Sequence, residues 1–169
     1  MADTKQDAIA LLKADHRTVE ELFEQFESTK GDGKKQKIAL QICMELTVHT
    51  KIEEEIFYPA CDGKIEEDLL KEAYVEHDGA KVLIAAIEAG GPDDEYYEAK
   101  VKVLSEQIEH HVEEEEKRME GMFAQAAKAG LNMDALGEQL LARKTELVAT
   151  YKASGLPGPE LTTMGQPSA

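Results

Sequence analysis

Four histidines set at near-equal intervals constrain this chain more than any other feature of its 169 residues. His16 and His77 stand 61 residues apart, and His49 and His111 stand 62 apart. Within each half the separations are 33 and 34. The surroundings repeat as well. ADHRTVEELF (14–23) pairs with VEHDGAKVLI (75–84): an acid, a histidine, then a helical pattern. HTKIEEEIFYP (49–59) pairs with HVEEEEKRMEG (111–121): a histidine, a glutamate four residues on, then further acid. Two helical hairpins of one design are expected to pack together.

Glycine and proline mark three breaks, KGDGKK (30–35), CDGK (61–64) and AGGPDD (89–94). Between them apolar residues recur at i, i+3 and i+4, which predicts helices over about 4–29, 34–60, 65–89 and 93–123. Asp3 or Thr4 is the expected cap of the first, and Asp93 or Asp94 of the fourth. The inward stripes read Ile9, Leu12, His16, Val19, Phe23, Phe26; then Ile38, Ile42, Leu46, His49, Glu53, Ile56, Ala60; then Leu70, Ala73 or Tyr74, His77, Ile84, Ile87; then Val101, Leu104, Ile108, His111, Glu115, Met119, Met122. Each stripe carries one histidine near its middle. Long helices joined by short loops assemble as an up-down-up-down four-helix bundle, so the expected fold is all-α. One more amphipathic helix is expected at roughly 134–152, capped by Asn132 or Asp134. A short piece at 122–129 continues the fourth helix or bends from it. The expected organisation is a bundle over 1–124, a helical extension over 125–152 and a flexible tail over 153–169, rich in proline and glycine.

Composition narrows the function. A net charge of −16 argues against nucleic acid or an anionic membrane as partner, since both need a basic surface. The N-terminal stretch has no apolar run of signal-peptide length and no segment approaches a membrane span, so a cytoplasmic setting is expected. The two cysteines, Cys43 and Cys61, form no CxxC motif and read as reduced thiols. Cys61, just past Pro59, is the one expected to be more accessible.

At ~1.5 Å of rise per residue, the four histidines fall within roughly two turns of a common level. Glu53 and Glu115 lie one turn along from His49 and His111 on the same faces. One layer of the bundle should therefore hold four imidazoles and two carboxylates. Such a layer is costly in a core without partners, and metal supplies them. Two ions suit six ligands better than one, and nitrogen and oxygen donors without thiolate favour iron or manganese over structural zinc. A lone His-x3-Glu is weak in so acidic a chain. His110 and Glu114 match it too, but their face carries Val103, Gln107, Lys117 and Arg118 and is mostly polar, so His110 reads as exposed or as a helper. Glu54 and Glu55 read as solvated acids. No Glu-x-x-His pair is present, which excludes the ferritin-like di-iron pattern.

The order H, HxxxE, H, HxxxE resembles the hemerythrin-like HHE cation-binding domains over about residues 8–123. The resemblance implies that His16, His49, Glu53, His77, His111 and Glu115 ligate a non-haem di-iron centre, two Fe ions with an oxo or hydroxo bridge, with both glutamates bridging. It implies a small-molecule oxidant as partner: dioxygen, bound reversibly, or peroxide or nitric oxide, for sensing, detoxification or iron handling. Metal and oxygen binding is the leading expectation, with peroxide or nitric oxide turnover as an enzymatic alternative. A mononuclear iron or zinc bundle and a metal-free structural bundle also stay open. Oxygen carriers of this family have a fifth histidine where this chain has Ala73. Tyr74, Glu45 and Glu20 are considered as replacements, and Tyr58 reads as a core residue beside the helix end that could also lie near the metal.

Overall fold

The structure is a computed structural model and describes residues 5–165. The bundle is built from α1 (Ala8–Ser28), α2 (Asp32–Ile52), a π-helical turn (Glu53–Phe57), α3 (Tyr58–Cys61), α4 (Glu67–Gly90) and α5 (Tyr97–Glu116). α2, the π turn and α3 run on as one rod. α1 packs on α2 and α5, and α4 packs on α5 and α2, which closes a four-rod ring. Two further helices follow, α6 (Met122–Lys128) and α7 (Met133–Ser154). α7 lies outside the ring against α1 and α2. Among the described residues there is no strand, and no helix is long and apolar enough to cross a membrane.

Local chemistry sets the ends. Asp3 and Thr4 lie outside the described residues; α1 is capped by Asp7, whose Oδ1 accepts from the Ala10 N–H at 2.8 Å. Asn132 caps α7 in the same way through Ala135. A 3₁₀ turn at Gly91–Asp93 delays α5 to Tyr97, so Asp93 and Asp94 do not cap it. α5 also stops seven residues before its expected end. Lys117 turns extended, with ψ 130°, and Met119 takes a positive φ of 69°. Met119 is therefore 83% exposed rather than inward, while Met122 is buried at the start of α6. Gly121 allows this tight return: a Cβ there would lie 2.5 Å from the Lys117 carbonyl oxygen. Gly137 does the same for α7, where a Cβ would lie 2.6 Å from the Gln6 carbonyl oxygen.

The apolar core is divided in two. One cluster gathers Val19, Phe23, Phe26, Ile42, Leu46, Ile84, Val101 and Leu104. The other gathers Leu11, Leu12, Ile52, Phe57, Leu70, Phe123 and the inner face of α7, Leu136, Leu140, Leu147 and Tyr151. Between them lies a polar layer. Cys61, expected to be accessible, is fully buried beneath the second cluster, and burial pushes its thiol and that of Cys43 up to about 12.

After Ser154 the chain runs without regular structure across the seam of α2 and α4. Its anchor is Asp78, a fully buried carboxylate of α4. Asp78 accepts from the backbone N–H groups of Thr162 (2.9 Å), Thr163 (2.6 Å) and Met164 (3.1 Å), and from the Thr163 hydroxyl (2.6 Å). The segment predicted as a flexible tail is thus docked as far as residue 164; residues 166–169 lie outside the described residues.

Candidate metal centre

The polar layer between the two clusters contains all six residues singled out by the sequence. His16, His49, Glu53, His77, His111 and Glu115 are each at most 4% exposed. Their helical phases aim every Nε2 at the bundle axis. The Nε2 atoms of His16 and His49 are 3.2 Å apart, and those of His77 and His111 are 3.1 Å apart. The carboxylates sit between the two pairs. Glu53 Oε1 is 2.9 Å from His49 Nε2 and 3.5 Å from His77 Nε2; Glu115 Oε1 is 3.2 Å from both His16 and His111. Two trios result, His16–His49–Glu115 and Glu53–His77–His111, each with donor atoms within 4.8 Å of one another.

With the Nε2 atoms unprotonated, three oxygens here, both of Glu53 and Oε1 of Glu115, are buried without a hydrogen bond. An unpartnered buried carboxylate is among the most costly arrangements in a core. Four imidazole nitrogens converging on two such carboxylates form a donor set that fits cations and fits little else. The titration behaviour has the same cause. Burial disfavours the His111 imidazolium, but the charge and hydrogen bond of Glu115, with help from Glu76, outweigh it and lift His111 to about 10. Burial also opposes the charged forms of His49 and His16; Glu53 and Asp15 raise the first well above its ordinary value, and Glu115 and Glu116 raise the second. Burial is likewise outweighed at Glu115, where His111 and His16 hold the carboxyl well below the usual range.

Each histidine is fixed from behind by a second carboxylate on its Nδ1. His16 donates to Glu116 (2.6 Å), His49 to Asp15 (3.0 Å), His77 to Glu54 (3.1 Å) and His111 to Glu76 (2.8 Å). These bonds place the proton on Nδ1 and leave Nε2 free to coordinate. A cation backs three of the acids, Arg17 behind Glu116, Lys144 of α7 behind Asp15 and Lys81 behind Glu54; the ring of His110, 64% exposed, lies 3.4 Å from Glu76. Glu54 is thus not the solvated acid that the sequence suggested, while Glu55 pairs with Arg143 at the surface. The repeat held the signal. The acids before His16 and His77 serve the histidines of the next helices, and the acids after Glu53 and Glu115 serve His77 and His16.

The missing fifth histidine is answered by Tyr58. Ala73 is buried but carries no donor. Glu45 accepts from Gln41 at the surface, and Glu20 pairs with Arg17. Tyr74 packs its edge on Tyr58 instead of reaching the centre. The Tyr58 hydroxyl lies 3.0 Å from His77 Nε2 and 3.3 Å from His111 Nε2, and donates to Glu115 Oε2 at 3.2 Å. Regular helical spacing from Glu53 points to Ile56 and Ala60, both only partly buried. The π turn adds a residue to that turn, the Tyr58 N–H reaching the Glu53 carbonyl, and swings Phe57 and Tyr58 fully inside. Such turns often mark functional sites. Beside the first trio the corresponding ring is Phe123, stacked on His16 at 5.8 Å. On the opposite side of the layer, Val19, Leu46, Ile108 and Val112 join the four histidines around a cavity of about 10 Å³, room for one water-sized molecule.

Comparison with known proteins bears on the family and the fold. The family model described as the hemerythrin HHE cation binding domain matches residues 7–123. A DNA nickase of Nostoc sp. is 30% identical over 106 residues; the match takes in 63% of this chain and only 30% of that protein's length. The crystal structure of a hemerythrin HHE cation binding domain-containing protein from Mycobacterium kansasii superposes with a TM-score of 0.75 at 19% identity, covering 89% of this chain and 95% of its own. At that identity the likeness speaks for the fold.

Proposed function

The chain belongs to the hemerythrin HHE cation-binding family, and from that premise we propose that it holds two non-haem iron ions and reacts with a small oxidant. His16, His49 and Glu115 would hold one ion, and Glu53, His77 and His111 the other. The observation that carries the reading is the set of three buried, unpartnered carboxylate oxygens among four converging Nε2 atoms. Nitrogen and oxygen donors without thiolate suit iron. When bound, the ions would exchange electrons with dioxygen, peroxide or nitric oxide.

The chain's own residues supply the rest. Asp15, Glu54, Glu76 and Glu116 fix the tautomer and the ring planes of the four histidines. The two apolar clusters keep bulk water from the layer. The small cavity against the histidines has room for one water-sized molecule and little more. Tyr58 keeps its proton, since burial and the charges of Glu115 and Glu53 raise its pKa well above the ordinary value. It stands ready to donate a hydrogen bond at the Glu53–His77–His111 trio, where oxygen carriers have a histidine. That difference favours reaction, sensing or iron handling over oxygen carriage, in a reducing cytoplasmic setting that suits two free thiols.

Metal analysis of the purified protein, combined with its absorption spectrum after oxidation, tests the reading. Two irons per chain with a near-ultraviolet band are expected. One zinc per chain and no such band would sink it.

A further inference from the structure

A cavity of about 520 Å³ lies outside the metal layer, between α2, α4 and the docked C-terminal segment. Its size suits a small organic molecule. Thr47, Thr50, Ile84 and Ala85 belong to its helical walls, and the segment from Pro157 to Thr162 roofs it. Two wall residues connect it to the centre. Glu54 holds His77 Nδ1. Tyr74 sets its ring edge-on against Tyr58 with centroids 5.2 Å apart, a favoured aromatic geometry. The Tyr58 hydroxyl then lies 3.0 Å from His77 Nε2. Two phenol rings in contact thus lead from the cavity wall to the candidate ligands.

The lining also describes the occupant. Its cations are already neutralised: Lys51 by Glu160 and Glu55, and Lys81 by Glu54. An anion finds no spare positive charge there. Apolar surface from Ile84, Ala85 and Pro157 accommodates a ring, and the hydroxyls of Thr47 and Thr50 offer partners for ring hydroxyls.

We propose that this cavity binds a neutral, hydroxylated aromatic reductant of the hydroquinone class, and that Tyr74 and Tyr58 pass its electrons to the metal centre. The inference rests on the reading of that centre as a redox-active pair of irons. The activity is a peroxidase reaction. Hydroquinone loses two electrons and two protons and becomes quinone. Hydrogen peroxide takes up both, its O–O bond breaks, and two waters form.

Two measurements test it on the full chain. In the first, hydroquinone is titrated into the metal-free protein by calorimetry. Saturable binding is expected, kept in Tyr74→Phe and lost in Ala85→Phe, which sets a ring where the ligand ring would lie. In the second, the iron-loaded oxidised protein is mixed with hydroquinone in the absence of air, and the loss of its near-ultraviolet band is followed. Tyr74→Phe should slow that reduction by about tenfold or more, a barrier change of about 1.4 kcal/mol. Dithionite, which needs no cavity, should reduce both proteins at one rate. Absence of saturable binding, equal binding by Ala85→Phe, or an unchanged reduction rate in Tyr74→Phe overturns the proposal. A chain that takes up two irons but fails these arms overturns this inference alone. A chain that takes up no redox-active metal yet binds hydroquinone overturns the electron route together with the reading it rests on.

Discussion

Without metal, protons must do the work of cations in the polar layer, and this gives the metal-free chain a distinctive pH dependence. Glu53 and Glu115 are buried between the histidines, and Glu115 stays ionised far below the usual carboxyl range. The pKa values of His16, His49 and His111 rise to match, His111 to about 10 from an ordinary 6.5. A group whose pKa is higher in the folded chain stabilises the fold fully below the unfolded value. That contribution is lost as the pH rises through the folded value. The window is therefore about pH 6.5 to 10, and His111 alone is linked to up to about 5 kcal/mol across it. The geometry limits the total. The Nε2 atoms of His16 and His49 face each other at 3.2 Å, so one proton serves that pair; His77 and His111 face each other at 3.1 Å in the same way. Loading the metal should release about two protons per chain near neutral pH, one per pair. The assay is a series of thermal melts from pH 6.5 to 9.5 with and without a chelator. The metal-free chain should lose about 7–14 °C over that range if His111 acts alone, and the loaded chain far less. Equal curves with and without metal, or a metal-free chain as stable at pH 9.5 as at 6.5, would refute the reasoning.

Three further outcomes follow from the same contacts. Tyr58→Phe should keep the fold within about 1–2 kcal/mol and keep both metals, because it removes one hydroxyl; the absorption spectrum of the oxidised protein should change, and an identical spectrum would place the phenol outside the centre's influence. Asp15→Ala frees the His49 ring and strands Lys144, and should weaken metal binding about 10–100-fold in a chelator competition. Asp78→Ala should release the C-terminal segment, read as protease cleavage after residue 154 with the bundle intact. Burial alone would raise the Asp78 pKa, but the bonds from Thr163 and Thr162, and Lys81 nearby, hold it at about 2. Its contribution of about 2 kcal/mol should be complete above pH 4 and fade as the pH falls toward 2, visible as cleavage that begins in that interval.

The sequence exposed the regular part of this architecture. Periodicity found all four rods, because a histidine in an apolar stripe interrupts the pattern without shifting its phase. It also placed His110 outward. It failed where phase changes. The π turn moves Tyr58 inward and leaves Ile56 and Ala60 at the margin, and no local residue type announces an extra residue in one turn. The stop at Lys117 was hidden by a run of good helix formers and rests on Gly121, whose need for no side chain shows only once the return of the chain is known. Glu54 was misplaced for a different reason. In an acidic run, neighbouring glutamates look alike, and what separates Glu54 from Glu55 is the helix that each one faces. Similarly, a tail rich in proline and glycine gives no sign of a carboxylate, Asp78, waiting 84 residues upstream of Thr162.

The duplication explains why the site exists, and its failure explains the difference between the two halves. A symmetric pair of hairpins puts two histidines, one inner glutamate and two outer acids from each half into one layer. Perfect symmetry would give both trios the same surroundings. Instead the first half keeps helix beyond Glu53 through a π turn and delivers a phenol, while the second half breaks after Glu116 and delivers the benzene ring of Phe123. Each ring stacks on the histidine of its own trio, Tyr58 on His77 at 5.1 Å and Phe123 on His16 at 5.8 Å. Only one of them carries an oxygen. The two trios therefore have matched first partners and unmatched neighbours. The same asymmetry recurs outside the ring: α7 lies over α1 and α2, while the C-terminal segment roofs the α2–α4 seam beside the tyrosine. Chemistry that needs a proton or an electron delivered from one side would be built at Glu53, His77 and His111, and exchange of Tyr58 and Phe123 between the two positions should move it to the other trio or abolish it.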